Sequence, residues 1–144
     1  MAWSLTVKRL GPGDDRVVLD LAERDPPTPE RLTELLADER TFFLVAFDDE
    51  QPIGFVLAYE LVRRHGDPTI LFVYEVDVHE QYRRRGVATA LMGELERLAR
   101  ERGIPRGFVL TDESNEPAMR FYESVGGVRP YDDDVMWRFE YAAG

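Results

Sequence analysis

The stretch from residue 73 to residue 91 constrains the fold of this chain more than any other. It runs from a strand-like apolar segment through a basic turn, Arg83-Arg84-Arg85, into a helical pattern that begins at Gly86. The first N–H groups of a helix have no intrahelical partner, and the helix dipole favours an anion beside them. Gly86 and Ala88 carry little bulk, so the backbone there can approach a diphosphate closely. The stretch therefore predicts a strand, a turn and a helix that together form an anion cradle.

Alternating and helical patterns on either side of this stretch predict a layered α/β domain. The helix after Gly86 repeats apolar residues on one face and ends at Gly103. The expected strands are Trp3–Leu10, Thr41–Phe47, Ile53–Val62, Ile70–Val78, Gly107–Thr111 and Val135–Tyr141, and the other expected helices are Asp14–Glu23, Thr28–Ala37 and one capped by Asn115. This order favours a mixed sheet with helices on both faces, in a single domain of residues 1–144.

The composition excludes several classes of protein. The chain has no cysteine, which rules out disulfides and thiolate metal sites, and with only two histidines no metal site is expected. Its 28 acidic residues outnumber 18 basic ones, for a net charge of −10. This balance argues against nucleic-acid binding and suits a cationic small molecule, although it is also typical of a merely soluble protein.

Neither a membrane segment nor a secretion signal stands out. The longest apolar run, Phe42–Phe47, is far too short to span a bilayer. The N-terminus lacks a basic start followed by an apolar stretch. We therefore expect a cytoplasmic protein with no membrane partner.

Several well-known active-site motifs are missing from the sequence. It contains no P-loop, no G-x-G-x-x-G fingerprint and no G-x-S-x-G nucleophile turn. The run from His79 to Arg83 begins like a zinc-binding helix, but arginine stands where that motif needs its second histidine. The anion cradle is thus the leading functional feature.

Two motifs together resemble the GNAT superfamily of N-acetyltransferases. Arg83-x-x-Gly86-x-Ala88, between a strand and a long helix, is similar to the superfamily's acetyl-CoA pyrophosphate motif. The segment Asn115–Gly126 is similar to the asparagine, alanine, tyrosine and glycine pattern on its last helix. The resemblance implies a mostly antiparallel central sheet of six to seven strands flanked by about four helices. It also implies an enzyme that transfers the acetyl group of acetyl-CoA to a primary amine, and a homodimer is plausible on the same ground.

The closer resemblance is to class I aminoglycoside 3-N-acetyltransferases. It is carried by Thr41-Phe42, Ala46-Phe47-Asp48, Tyr74, Arg83–Leu91, Pro117-Ala118, Tyr122 and Val135-Met136. The segment Arg24–Glu34 looks shorter than its counterpart in that group, in a region that helps to form the acceptor pocket. The resemblance therefore implies an aminoglycoside acceptor less firmly than it implies acetyl-CoA.

The resemblance also implies roles for individual residues. Glu75, just before the cradle, is the first candidate for the general base, although it could equally be a strand-surface acid paired with an arginine. Asp77 faces the same side of the strand and could share that role or only add negative charge. Tyr122 matches the usual general acid that protonates the departing thiolate.

The expected cofactor-binding residues surround the cradle and the start of the last helix. They are Val76, Asp77, Val78, Arg83, Arg84, Arg85, Gly86, Val87, Ala88, Thr89, Asn115 and Ala118. The backbone of Val76–Val78 would stabilise the developing oxyanion and bind the pantetheine arm. At least one of the three arginines is expected to be solvated, and Asn115 could simply cap its helix.

An acidic rim is the expected acceptor-binding feature. Its candidates are Asp77, Asp112, Glu116, Asp132, Asp133 and Asp134, with Glu113 nearby. A solvated loop is the alternative for the Asp132–Asp134 run. The acceptor could be an aminoglycoside, a polyamine or another amine metabolite, or a protein, and a non-catalytic acetyl-CoA-binding module is a further alternative.

Overall fold

A computed structural model describes residues 3–21 and 26–142 of the chain. Its elements are, in order, β1 (Leu5–Arg9), α1 (Asp15–Leu19), α2 (Pro29–Ala37), β2 (Thr41–Asp48), β3 (Gln51–Val62), β4 (Thr69–Val78), a short 3₁₀ turn (Glu80–Tyr82), α3 (Val87–Arg102), β5 (Gly107–Val109) and α4 (Glu116–Ser124). The chain forms two compact units, residues 1–110 and residues 111–144. The expectation of a single domain stays a prediction.

One sheet organises the first unit. Its strands follow the order β1-β2-β3-β4-β5. The first three pairings are antiparallel, and β5 runs parallel to β4. The predicted mixed, mostly antiparallel sheet with flanking helices is therefore confirmed, but among the described residues the sheet has five strands rather than six to seven.

The expected last strand, Val135–Tyr141, does not form. The structure assigns no strand to this segment, and the side chains of Trp137 and Tyr141 are 78% and 87% exposed. Alternation of apolar and polar residues shows that a segment could pair in a sheet, but a strand forms only where a partner satisfies its backbone groups. No described residues supply that partner here.

The first expected helix is shorter than the pattern suggested. α1 ends at Leu19, and Asp20 and Leu21 continue as a turn. The end of the predicted helix at Glu23 lies outside the described residues, as does the start of the Arg24–Glu34 segment. Thr28 begins α2 as predicted, because its side-chain oxygen accepts a hydrogen bond from the N–H of Arg31 and proline follows at the first helical position.

Helices cover both faces of the sheet, so the first unit has three layers. On one face, Val87, Leu91 and Leu95 of α3 are buried against sheet residues that include Leu44 and Val56. On the other face, the second core cluster joins α1 and α2 to the sheet through Val18, Leu32, Leu36, Phe43, Val45, Phe55 and Leu57. Burying one such side chain stabilises the fold by about 1.5–3 kcal/mol, which fixes the position of β4 between the two layers.

An ion pair ties the end of α3 to the sheet. Arg102 Nε donates to Glu60 Oε1 at 2.6 Å, and the Glu60 residue is only 9% exposed. A buried carboxylate needs such a partner, since removing it would leave an uncompensated charge. The pair holds α3 in place over β3 and β4.

Candidate active site

A β-bulge lies at the centre of the candidate site. Leu57 of β3 pairs with Glu75 of β4, whereas the next residue, Ala58, pairs with Val73. Tyr74 is therefore an extra residue without a partner on β3, and such bulges turn side chains away from the regular alternation. The neighbouring Gly54 cannot be replaced easily, because a Cβ there would lie 2.9 Å from the carbonyl oxygen of Asp77.

Glu75 and Asp77 lie on the same face of the sheet as α1 and α2. Their cross-strand partners are Leu57 and Phe55, which both belong to the core beneath those helices. Directly paired residues of antiparallel strands point to the same face. The prediction that the two carboxylates share a side is confirmed.

The surroundings of Glu75 favour its protonated form. Partial burial, followed by the nearby negative charge of Asp77, raises the pKa of the Glu75 carboxyl. More than a third of the residue's surface is still exposed, so the group is accessible to a ligand. A carboxyl with a raised pKa at an accessible position is the pattern expected of a general base.

The edge of β4 next to this carboxylate lacks a neighbouring strand. β5 pairs with β4 only from Leu71 to Val73. Beyond Val73, no strand of the first unit pairs with that edge, although β3 still covers the opposite edge as far as Val78. Within the first unit, backbone groups of residues 74–77 that point to this edge therefore have no strand partner and can bind a ligand.

Arg83 closes the turn that follows β4. Its Nε donates to the carbonyl oxygen of Val78 at 2.9 Å, and its Nη2 lies 3.5 Å from Asp77 Oδ1. One edge of the guanidinium is thus used to hold the turn together. Arg83 also links the two halves of the site, since it contacts both the end of β4 and the acidic side chain next to Glu75.

The turn that forms the cradle contains two residues in the left-handed conformation. Arg84 has φ +63° and Gly86 has φ +83°. α3 begins at Val87 with no side-chain cap and no acidic residue in its first turn, so its first N–H groups can face a ligand. A Cβ built on Gly86 would meet no atom within 4 Å, which shows open space above the backbone.

A pocket of about 110 Å³ occupies that space. It is lined by Val78, Tyr82, Arg83, Arg84, Gly86, Val87, Ala88 and Thr89. The predicted cradle residues from Arg83 onward are thus brought together, with the exception of Arg85. The backbone donors and arginines of the pocket match the charge of a phosphate group.

Arg85 lies against aromatic rings instead. Its guanidinium carbon is 5.4 Å from the centre of the Trp3 ring and 5.6 Å from that of Tyr82. Tyr82 in turn donates its hydroxyl to Asp48 Oδ2 at 2.9 Å. Sequence reasoning missed this aromatic support, because Trp3 is distant in sequence and nothing local marks it as a neighbour of the turn.

The second unit places the remaining candidates on or near α4. The Asn115 side chain accepts a hydrogen bond from the N–H of Ala118 at 3.2 Å, so its capping role is confirmed. Tyr122 is half-buried, and this burial raises the pKa of its phenol. The phenol is therefore protonated at neutral pH, and the raised pKa makes it a weaker acid than an exposed tyrosine.

The acidic candidates of the second unit are exposed. Glu116 lies 3.9 Å from Arg120 on α4, and the Arg129 guanidinium pairs with Glu113 at 3.1 Å. Arg129 also donates to the carbonyl oxygen of Asp132 at 3.3 Å. Four further acidic residues are exposed to solvent: Asp112, Asp132, Asp133 and Asp134. Their exposure is compatible with an acceptor-binding rim and equally with a solvated loop.

The described part of the chain lacks two further features. No helix there is long and apolar enough to cross a membrane. No group of three or more histidine and acidic side chains among those residues is arranged to hold a metal ion.

Comparison with known proteins places the chain in a family. The profile of the acetyltransferase (GNAT) family matches residues 14–127. An 86-residue stretch is 38% identical to mycothiol acetyltransferase of Thermomonospora curvata, covering 59% of this chain and 28% of that protein. An 88-residue stretch is 32% identical to N-alpha-acetyltransferase 30 of Schizosaccharomyces pombe, covering 61% of this chain and 58% of that protein.

Similarity to solved structures extends over nearly the whole chain. A crystal structure of an aminoglycoside acetyltransferase from an uncultured soil metagenomic sample superposes with a TM-score of 0.81. It is 26% identical and the match covers 98% of this chain and 99% of that one. The curated relatives are longer, since the matches span 28% and 58% of their lengths. The fold, the cradle and the family match agree: this chain belongs to the acetyltransferase (GNAT) family, whose members use acetyl-CoA.

Proposed function

We propose that this protein transfers the acetyl group of acetyl-CoA to a primary amine of a cationic small molecule. The observation that carries the proposal is the position of Glu75. Its carboxyl has a raised pKa and stands at the open end of β4, immediately before an anion cradle. An acceptor amine and a thioester carbonyl need these two features side by side.

The cradle residues fit the diphosphate of the cosubstrate. Gly86 leaves open space for it, and the backbone N–H groups of Val87, Ala88 and Thr89 at the start of α3 would donate to it. Arg83 and Arg84 would add charge, whereas Arg85 would contribute mainly by holding the turn against Trp3 and Tyr82. Asn115 and Ala118 are assigned to the cofactor by family resemblance. Bound there, acetyl-CoA supplies the acetyl group as a reactive thioester.

Glu75 would act as the general base. Most amines are protonated at neutral pH, so a proton must leave before the nitrogen can attack. Glu75 would take that proton directly or through one water, and Asp77 would help to attract the cation. The C–N bond then forms as the C–S bond breaks.

Two other groups would complete the reaction. Backbone N–H groups among Val76, Asp77 and Val78 would stabilise the negative charge that develops on the carbonyl oxygen. Tyr122 would give its proton to the departing thiolate, a role assigned by its match to the usual general acid of the family. The nitrogen loses a second proton as the amide forms, and that proton restores the Tyr122 phenol through water, whereas the proton taken by Glu75 is released to water.

The acceptor we propose first is an aminoglycoside, acetylated at its 3-N position. Family motifs on both units support it, as does the likeness to a soil aminoglycoside acetyltransferase over nearly the whole chain. A net charge of −10 would attract such a polycation. The acidic side chains Asp112, Glu116 and Asp132–Asp134 would form part of its binding rim.

The proposal is tested by thiol release from acetyl-CoA with a panel of aminoglycosides, polyamines and short peptides. Release with an aminoglycoside, and location of the acetyl group at the 3-amine, is the expected result. Release only with polyamines or only with peptides would support acetyl transfer to an amine, but it would show that the acceptor is not an aminoglycoside. Tight acetyl-CoA binding with no release for any amine would instead favour a non-catalytic binding module.

A further inference from the structure

An aromatic pair stands beside the proposed base and has no role in the reaction described above. The rings of Tyr59 on β3 and Tyr74 on β4 meet edge to face, with their centres 5.6 Å apart. Phe72 meets the Tyr74 ring in the same way, also at 5.6 Å. Tyr59 and Phe72 are both partly buried, whereas Tyr74 is 58% exposed. The Tyr74 ring is therefore held in place from below and open to solvent above.

The bulge brings this ring to the same face as the carboxylates. In a regular strand, adjacent residues such as Tyr74 and Glu75 point to opposite faces. Tyr59 packs against the core beneath α1 and α2, and its contact with Tyr74 places that ring on this face. Glu75 lies on the same face because it pairs with Leu57. The negative charge of Glu75 also raises the pKa of Tyr59, after the larger effect of burial, which shows that the groups are close.

An exposed tyrosine ring next to two carboxylates is suited to a cation. The face of an aromatic ring attracts an ammonium group, and the attraction adds to that of nearby negative charge. The amine that attacks must be neutral, because Glu75 or water has taken its proton. A cation that stays on the Tyr74 ring during the attack is therefore a second amine of the same acceptor, still protonated.

We propose that the Tyr74 ring binds a second ammonium group of the acceptor, with the negative charge of Asp77 on the same face adding to the attraction, and that this contact positions the first amine at Glu75. This inference rests on the proposed function and narrows it. The acceptor therefore carries at least two amines. They lie a few ångströms apart, so that one reaches Tyr74 while the other reaches the adjacent Glu75. A compound with a single amine lacks the group that Tyr74 holds and should bind more weakly.

The test uses two ligands that differ by one amine, cis-1,3-diaminocyclohexane and cyclohexylamine. Binding to the full chain is followed by NMR titration, which needs no turnover. We expect the diamine to bind about ten-fold more tightly than the monoamine, in line with a cation–π contact aided by a carboxylate. Tyr74→Ala should remove most of this preference, and Tyr74→Phe, which keeps the ring, should retain it.

Two controls make the result specific. Tyr141→Ala truncates another exposed tyrosine, 87% exposed, and should leave the preference intact. A thermal melt of each variant checks that the fold is retained, as expected for a residue as exposed as Tyr74. An unchanged preference in Tyr74→Ala, or no preference in the wild type, would overturn the inference. Failure of the proposed function would appear separately, as no thiol release from acetyl-CoA with any aminoglycoside, polyamine or peptide of the panel.

Discussion

Arg83, within the turn between β4 and α3, donates a hydrogen bond of 2.9 Å from its Nε to the carbonyl oxygen of Val78, the last residue of β4. This bond sets the distance between the last residue of the strand and the helix start that forms the cradle. The same guanidinium lies 3.5 Å from Asp77. A substitution in the cradle should therefore also alter the acidic end of β4, and a substitution at that end should also alter the cradle.

Gly86→Ala should weaken acetyl-CoA binding and destabilise the fold. At φ +83° a residue with a Cβ loses about 1–2 kcal/mol, and the new methyl group would enter the open space above the cradle. We expect a lower melting temperature and a higher KM for acetyl-CoA, measured by a thermal melt and by steady-state kinetics.

Gly93→Ala is the matched control. Gly93 lies inside α3, and a Cβ there would meet nothing within 4 Å. Alanine is favoured over glycine in a helix interior by about 0.5–1 kcal/mol, so this variant should be slightly more stable with an unchanged KM. A similar rise in KM for both variants would argue against a specific role for Gly86.

Glu75→Gln should stabilise the protein at neutral pH while it abolishes most of the turnover. The pKa of Glu75 is raised in the folded protein, so the folded state binds the proton more tightly than the unfolded state does. The stability linked to this group is fully present at low pH, and it is lost as the pH rises through the raised pKa. Glutamine mimics the protonated form and avoids that loss.

The measurement for Glu75→Gln is a series of thermal melts across pH. The variant should melt higher than the wild type near pH 7, and the difference should vanish below about pH 4, where both pKa values have been passed. Turnover should fall by about 10²–10⁴-fold, as for loss of a general base. A variant that melts lower than the wild type at pH 7 would contradict the electrostatic interpretation of this residue.

Asp77→Asn should shift the pH dependence of the reaction. Burial is the larger cause of the raised Glu75 pKa, and the charge of Asp77 is the second. Removing that charge lowers the Glu75 pKa, so the acidic limb of the kcat/KM profile should move to lower pH. Tyr59 also faces Glu75 and is neutral through this range, so it should not obscure the change. An unmoved acidic limb would show that another group controls it.

Tyr122→Phe should lower kcat and leave the KM for acetyl-CoA unchanged. The substitution keeps the half-buried ring and removes only the proton donor. Tyr131→Phe, at a tyrosine 66% exposed in the same unit, is the control and should have no effect. Wild-type turnover in Tyr122→Phe would remove this residue from the mechanism.

Replacing Asp132, Asp133 and Asp134 together with asparagine should raise the KM for the acceptor. Three negative charges attract a polycation at low ionic strength, and salt screens that attraction. The difference in KM between variant and wild type should therefore shrink at high salt. An acceptor KM equal to that of the wild type at low salt would identify the run as a solvated loop.

The sequence predicted the parts of this site that depend on local pattern. β4 was expected at Ile70–Val78 and is found at Thr69–Val78, and α3 ends at Gly103, as expected. Local pattern was sufficient here because glycine at a positive φ and apolar residues at helical spacing are marked in the residues themselves.

The parts that escaped prediction depend on residues distant in the sequence. The bulge at Tyr74 is defined by the pairing of β4 with β3. The sequence of β4 alone therefore gave no sign that Tyr74 and Glu75 share a face. The contact between Arg85 and the Trp3 ring likewise joins two residues that are far apart in the sequence. The expected strand at Val135–Tyr141 failed for the same kind of reason, because its pattern gave no information about a partner.

The most direct test of the central claim is mass spectrometry of an aminoglycoside after incubation with acetyl-CoA and the protein. The proposed function predicts a product heavier by one acetyl group, formed by the wild type and strongly reduced with Glu75→Gln. If no amine in a broad panel gains an acetyl group while acetyl-CoA binds normally, the claim that this site catalyses acetyl transfer to small-molecule amines is wrong.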